Sequence, residues 1–316
     1  AQIHQKIVYC GGGIAAVSVK NGEMQKRSYP SSFEGDFSQE GYEFIESLHF
    51  HDNCQRIAEE SGALVDAPNC PSEKKDIVLE SSQLALQVHE SCGHPTELDR
   101  ALGYEASYAG TSFLTLEKKG NFVYGSPQVT IVADSTVPKG LGTFGYDDEG
   151  VKACRTVLID KGIFSGYLTS RETAFQLGEQ SNGAMRATGF NFMPLIRMTN
   201  INLMPGDYTL EELLEDVKEG VYMETNRSWS IDDKRINFQF GCEIGYMIEN
   251  GELNGMVKNP SYTALTPEFW GSCDAVGKDW YLWGLPNCGK GEPSQTMFVG
   301  HGAAPARFRN IQVGVG

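Results

Sequence analysis

Two imidazoles and a carboxylate close together in a chain can grip a divalent metal and put a base beside it. His89-Glu90-Ser91-Cys92-Gly93-His94 offers that combination in the form HExxxH. In the familiar zinc-peptidase helix the histidines are four apart on one face, with glutamate next to the first as general base. Here they are five apart, and a regular α-helix would point them about 140° away from each other. Two local geometries restore a shared ion. One is a π-type turn, whose hydrogen bonds run from i to i+5. The other is a helix that stops at Gly93 so that His94 curls back. The flanking Gly93 and Pro95 favour the second, because glycine suits a helix exit and proline cannot continue the ladder. Without a metal, the same residues form a helix-terminal histidine pair beside a solvated Glu90.

A catalytic zinc usually takes three protein ligands and leaves one open position. Cys92, three residues after His89, is one candidate for the third, although a thiol there can equally pack inward as a small hydrophobe. Glu97 and Asp99 follow His94 closely and suit a supporting role that orients the histidines. Downstream, Cys288 sits among turn residues in Pro286-Asn287-Cys288-Gly289-Lys290-Gly291, and His301 lies in Gly300-His301-Gly302. Residue types alone do not choose among these.

The elements that must position these residues can be read coarsely. Lys6-Ile7-Val8-Tyr9 and Ala15 to Val19 read as strands, and Asn21-Gly22 as a hairpin turn. Gly41 to Ala63 has helical spacing, and Asp66 to Ser72 breaks regular structure. Asp76 to Glu80 reads as a strand leading through a Ser81-Ser82 cap into the helix that carries the histidines. Val129 to Asp134 is extended, and Thr156 to Leu168 is a hairpin turning at Lys161-Gly162. Thr209 to Glu212 is a capping box opening a helix with Leu210, Leu213, Leu214 and Val217 on its buried stripe and Gly220 at its end. Hairpins follow, at Ile236 to Phe240 and Ile244 to Ile248.

The composition is that of a globular chain. Lys plus Arg number 26 against 41 for Asp plus Glu, a formal charge of −15 that argues against nucleic-acid binding and against an anionic membrane surface. The 36 glycines, without any collagen-like period, indicate many tight turns and a β-rich chain. No run approaches the ~18 apolar residues needed to span a bilayer, and no signal peptide precedes the first strand. Eight scattered cysteines without CxxC pairs suit a reduced, cytoplasmic setting.

From Asp76 onward the chain resembles the TldD/PmbA family, the modulator-of-gyrase peptidases. The strand, the HExxxH helix and the acidic pair Glu97 and Asp99 are similar to that family's motif region. Asp147-Asp148-Glu149-Gly150, Arg197-Met198-Thr199-Asn200, Met204-Pro205-Gly206 and Asn287-Cys288-Gly289-Lys290 look like its later motifs, in order. Pro95 and Cys92 depart from it, standing where the family commonly has glycine and an aliphatic residue.

The resemblance implies one zinc ion held by His89, His94 and Cys288, with Glu90 as catalytic base. It implies a metallopeptidase of the catalytic, TldD-like branch that cuts unfolded or precursor peptides, as a homodimer or as a heterodimer with a PmbA-like subunit. The expected fold is α+β. Residues 1–75 would be the last part of an N-terminal α/β domain, and residues 76–316 a large, mainly antiparallel β domain carrying the short motif helix. The alternative function is a non-catalytic, peptide-binding partner subunit. A thiol enzyme using Cys92 or Cys288 leaves HExxxH without a role.

Overall fold

The computed structural model describes residues 2–108, 110–291 and 293–314. At the front, Ile14–Lys20 pairs antiparallel with Glu23–Tyr29. The turn between them is Asn21-Gly22, both with positive φ (52° and 84°), as a two-residue I′ hairpin requires. Helix Phe50–Asp66 lies on this hairpin and buries Ile57, Ser61, Leu64 and Val65, a stripe with helical period. The expected strand at Lys6 to Tyr9 is not formed. The first strand is Cys10–Gly12, which pairs with Asp36–Ser38, and the exposed residues before it have no strand partner among the described residues.

The larger part is built around strand Lys74–Leu79. It pairs in parallel with Glu219–Ile231 on one side and antiparallel with Ala306–Val313 on the other. From there the ladder runs through Ser261–Leu265 to Asn237–Glu249, which pairs back onto Glu219–Ile231 and closes a five-strand ring. Glu252–Val257 and Cys273–Val276 extend it. Ile77 and Leu79 point into the main core, while Val78 points the other way into a smaller cluster with Leu213, Val217 and Ile248. That alternation is the strand period of two. A second sheet has six strands in the order Tyr281–Lys290, Gln295–Ala303, Asn200–Leu203, Ile131–Asp134, Arg155–Asp160 and Ile163–Phe164. The architecture is therefore the expected α+β one, dominated by antiparallel strands.

Helix Ser81–Val88 leaves the end of the central strand and packs against Glu219–Ile231 on the ring side and Gln295–Ala303 on the second-sheet side. All eight of its residues are buried, as a helix between two sheets must be. Its two glutamines are linked through a tyrosine: Gln83 Nε2 donates to Tyr262 Oη (2.8 Å), which donates to Gln87 Oε1 (2.9 Å).

Two boundaries differ from expectation. The Thr209 capping box forms, but its helix ends at Glu215 and Gly220 is already in a strand. A Cβ at Gly220 would lie 2.6 Å from the Asp76 carbonyl, so close strand approach, not a helix exit, requires glycine there. Ile236 to Ile248 is a single strand from Asn237 to Glu249, not two.

Candidate metal centre

The central strand delivers the motif helix through Glu80, whose carboxylate caps it by accepting from the Ser82 amide (2.7 Å). Ser81 and Ser82, the expected caps, are the first helical residues and both donate their hydroxyls to Glu80. After Val88 the helix widens into a π turn over His89–Gly93, with the His94 amide bonded to the His89 carbonyl, an i to i+5 bond. His94–Thr96 then forms a 3₁₀ turn.

This is the first of the two geometries, not the curled exit that the flanks suggested. Gly93 has φ −55°, an ordinary helical value. Its glycine is needed for space, since a Cβ would lie 2.1 Å from Met198 Sδ. Pro95 stands in the first turn of the 3₁₀ segment, where a missing N–H costs nothing. Side chains fasten the widened turn: Thr96 Oγ1 lies 2.8 and 2.9 Å from the Cys92 and Gly93 carbonyls. Tyr124 donates to the Ser91 carbonyl and Trp270 to the Ser91 hydroxyl, each at 2.9 Å.

The turn sets His89 and His94 side by side. Cys288 reaches them from a bulge in strand Tyr281–Lys290, where the register slips between Leu285 and Cys288. Cys288 Sγ is 3.9 Å from His94 Nε2, and one donor atom from each of the three residues lies within 4.8 Å of the others. All three are buried. Bonds of ~2.1 Å to nitrogen and ~2.3 Å to sulfur need the set to draw in only slightly around one small ion. The chemistry of the donors also fits. Burial alone would raise the Cys288 pKa, but His89 and His94 outweigh it and hold the thiol well below its usual value. Burial keeps His94 well below the ordinary histidine value, whereas at His89 the facing Cys288 overcomes burial and raises it. A thiolate beside imidazoles is a ready divalent-metal set.

Each imidazole is held at its far nitrogen. His94 Nδ1 meets Glu97 Oε2 at 3.0 Å, and His89 Nδ1 meets His301 Nε2 at 2.7 Å. Both Nε2 atoms are thereby left for an ion, the usual arrangement around a metal. Burial and the neighbouring His89 push the His301 pKa down, so His301 is a neutral partner. Asp99 does not touch a histidine. It takes two 2.8 Å bonds from Lys290 Nζ, which also stands 3.5 Å from Glu97 and so ties the motif segment to the Cys288 strand. Arg197 donates to the Cys288 carbonyl at 2.5 Å. Cys92 is outside the group, fully buried in the main core, where desolvation raises its pKa.

Glu90 opens onto a cleft of about 400 Å³ whose lining includes His89, His94, Cys288, Trp229 and Arg235. Arg235 Nη1 is bonded to Glu90 Oε2. Arg235 stands in the turn Asp232 to Asn237 with φ 66°, an uncommon conformation for a residue with a side chain. Sequence reasoning missed it, because one arginine in a charged turn carries no signal.

Residues 72–315 match the family model described as the PmbA/TldA metallopeptidase C-terminal domain. The chain belongs to the PmbA/TldD family. A metalloprotease of Methanocaldococcus jannaschii is 34% identical over 97% of this chain and 64% of its own length. A protein of Saccharolobus solfataricus named zinc metalloprotease TldD homolog is 27% identical over 75% of this chain and 51% of its own. This PmbA/TldD chain thus spans less than two thirds of either relative. Among solved structures, a modulator of a DNA gyrase from Thermotoga maritima superposes with a TM-score of 0.73 at 21% identity. It covers 96% of this chain and 61% of the other. TldE from Thermococcus kodakarensis gives 0.68 at 17% identity, with 95% and 61% covered. At these identities the two structures speak for the fold.

Proposed function

We propose that the chain is a zinc metallopeptidase that hydrolyses unfolded or flexible peptides. The observation that carries this reading is the convergence of two imidazoles, one thiolate and one carboxylate at a single open cleft. His89, His94 and Cys288 would hold one zinc ion, a choice that the thiolate favours over magnesium or calcium. When bound, zinc supplies Lewis-acid polarisation of the scissile carbonyl and lowers the pKa of an attacking water toward ~7. Glu90 accepts that water's proton at a carboxylate oxygen and returns it to the departing amide nitrogen. In the resting cleft Arg235 offsets the Glu90 charge. Because Arg235 also lines the cleft, its guanidinium would serve as a donor to negative charge that develops on the carbonyl oxygen, and such donors are among the most effective catalytic groups.

Residues 76–316 form the catalytic unit in this reading, working as a homodimer or with a PmbA-like subunit. The name TldE borne by one structural neighbour supports a two-component assembly. No helix among the described residues is long and apolar enough to cross a membrane. The free cysteines and the buried thiolate suit a reducing cytoplasm.

Metal content by elemental mass spectrometry tests the reading, with Cys288→Ala and Glu90→Gln alongside. One zinc per chain is expected in the unaltered protein and in Glu90→Gln, and a weakened or lost zinc in Cys288→Ala. Glu90→Gln should cleave no peptide. Absence of metal after zinc is added would instead favour the non-catalytic, peptide-binding subunit.

A further inference from the structure

A second, smaller cavity of about 30 Å³ adjoins the metal cleft and shares Phe33, Leu86 and Leu285 with it. Its walls are mostly apolar, yet three of its lining residues carry buried polar atoms with no hydrogen-bond partner among the described residues. These are Ser32 Oγ, Asn226 Oδ1 and His301 Nδ1. Each residue is more than nine-tenths buried, at 7%, 2% and 2% exposure. A buried polar atom is costly to leave without a partner, so three around one small space point to something that fills it.

The backbone is shaped to aim them. Asn226 sits at a bulge of strand Glu219–Ile231, where the pairing slips between Asn226 and Ser228, and Thr225 beside it has φ 60°. Phe33, which also lines the cavity, and Glu34 after it have φ 56° and 74°. Bulges and left-handed residues cluster where a side chain must be re-aimed beside a functional site.

The polarity of each atom is also fixed. Asn226 Nδ2 donates to Gln83 Oε1 (3.1 Å) and to the Ser228 carbonyl (3.4 Å), so its free atom is the oxygen, an acceptor. The ordered chain from Gln83 through Tyr262 to Gln87 keeps Gln83 Oε1 turned that way. With His89 offering Nε2 to an ion, His89 Nδ1–H donates to His301 Nε2. The remaining His301 nitrogen is then an N–H donor, near the Ile201 carbonyl but outside bonding geometry. Ser32 Oγ can serve either way. One acceptor, one donor and one hydroxyl together match a carboxamide, which has two N–H groups and one carbonyl.

We propose that this cavity is a specificity subsite for the carboxamide side chain of Asn or Gln in the bound peptide. The proposal rests on the peptidase reading for its ligand, but its binding test is independent of turnover. Fluorescent peptides of one flexible sequence, with Gln, Asn, Leu or Glu placed at each position in turn, are titrated by anisotropy into the full chain carrying Glu90→Gln. The same peptides are given to the active chain. At one position the Gln or Asn peptide should bind about tenfold tighter than the Leu peptide. Ser32→Val, which takes up space in the cavity, and Ala85→Leu, which narrows it from the helix side, should each remove that difference by weakening the Gln and Asn peptides.

Equal affinity for Gln, Asn and Leu at every position would overturn the subsite. So would selectivity that both filled variants retain, or an ordered water satisfying the three atoms in a peptide-bound crystal. Carboxamide-selective binding without cleavage keeps the subsite and removes the peptidase reading. Cleavage without selectivity does the reverse.

Discussion

At the scale of single residues, the candidate site divides into groups that face the cleft and groups that act through them. Arg235 belongs to the first kind. It is the cation bonded to Glu90, and its charge is felt by both His89 and His94. Arg235→Ala should leave zinc content unchanged and lower kcat about 10²-fold, the usual cost of losing one charge-stabilising donor. Equal kcat in the two proteins would restrict Arg235 to a structural role. His301 belongs to the second kind, because it reaches the site only through His89. His301→Phe should weaken zinc affinity about 10–100-fold, as read by competition with a chromogenic chelator. His301→Gln, which keeps an acceptor for His89 Nδ1–H, should recover part of that loss. Glu97 was legible as a partner of His94 because it follows three positions later. Asp99 was misjudged, since its real partner, Lys290, lies far along the chain. The grouping of Cys288 with the histidines was visible only through family resemblance, because a bulge in a distant strand has no local signature.

At the scale of elements, the decisive feature is the π turn over His89–Gly93. The five-residue spacing stated the problem, and the flanks pointed to the wrong solution. Gly93 and Pro95 read as a helix exit by their conformational preferences, yet in the fold one answers to Met198 and the other to a 3₁₀ start. Tertiary packing overrode local propensity. Much else was legible where the signal was local: the Asn21-Gly22 hairpin, the Thr209 capping box and the strand leading into the motif helix all form. The closing of five strands into a ring was not, because pairings such as Lys74–Leu79 with Ala306–Val313 span most of the chain. If the π turn depends on the space at Gly93, Gly93→Ala should destabilise the protein by about 1–3 kcal/mol through overpacking and weaken zinc binding with it. Gly93→Ala combined with Met198→Ala should lose less stability than the two single losses added together, and should recover zinc binding. In such a double-mutant cycle, additive losses would disconnect the turn from Met198.

At the scale of the molecule, the front hairpin is fastened to the five-strand ring by a cluster with too many acids. Arg27 meets Glu60 at 2.8 Å, Glu224 at 3.2 Å and Glu243 at 3.5 Å, and the Ser28 amide donates to Glu243 at 2.6 Å. Glu80 adds another negative charge, and Arg56 only partly answers it. Burial, followed by the neighbouring Glu80 and Glu60, raises the Glu224 pKa from 4.5 to about 7 against the pull of Arg27. Burial raises Glu243 as well. An acid whose folded-state pKa is raised holds its proton more tightly in the native protein. Its contribution is complete below about pH 4.5 and is lost as pH climbs through 7. At 24% exposure Glu224 is screened only in part, so the loss between pH 5 and 8 amounts to about 2 kcal/mol. Glu224→Gln keeps an acceptor for Arg27 and removes the titration. Relative to the unaltered protein, the variant should therefore gain stability as pH rises from 5 to 8, by a few degrees in Tm. Because the cluster joins the front layer to the ring, limited proteolysis before residue 70 should show the same trend. Cleavage there should quicken with pH in the unaltered chain and stay flatter in the variant. Parallel pH profiles for the two proteins would mean that Glu224 is already ionised at pH 5, and that Arg27 alone balances the cluster.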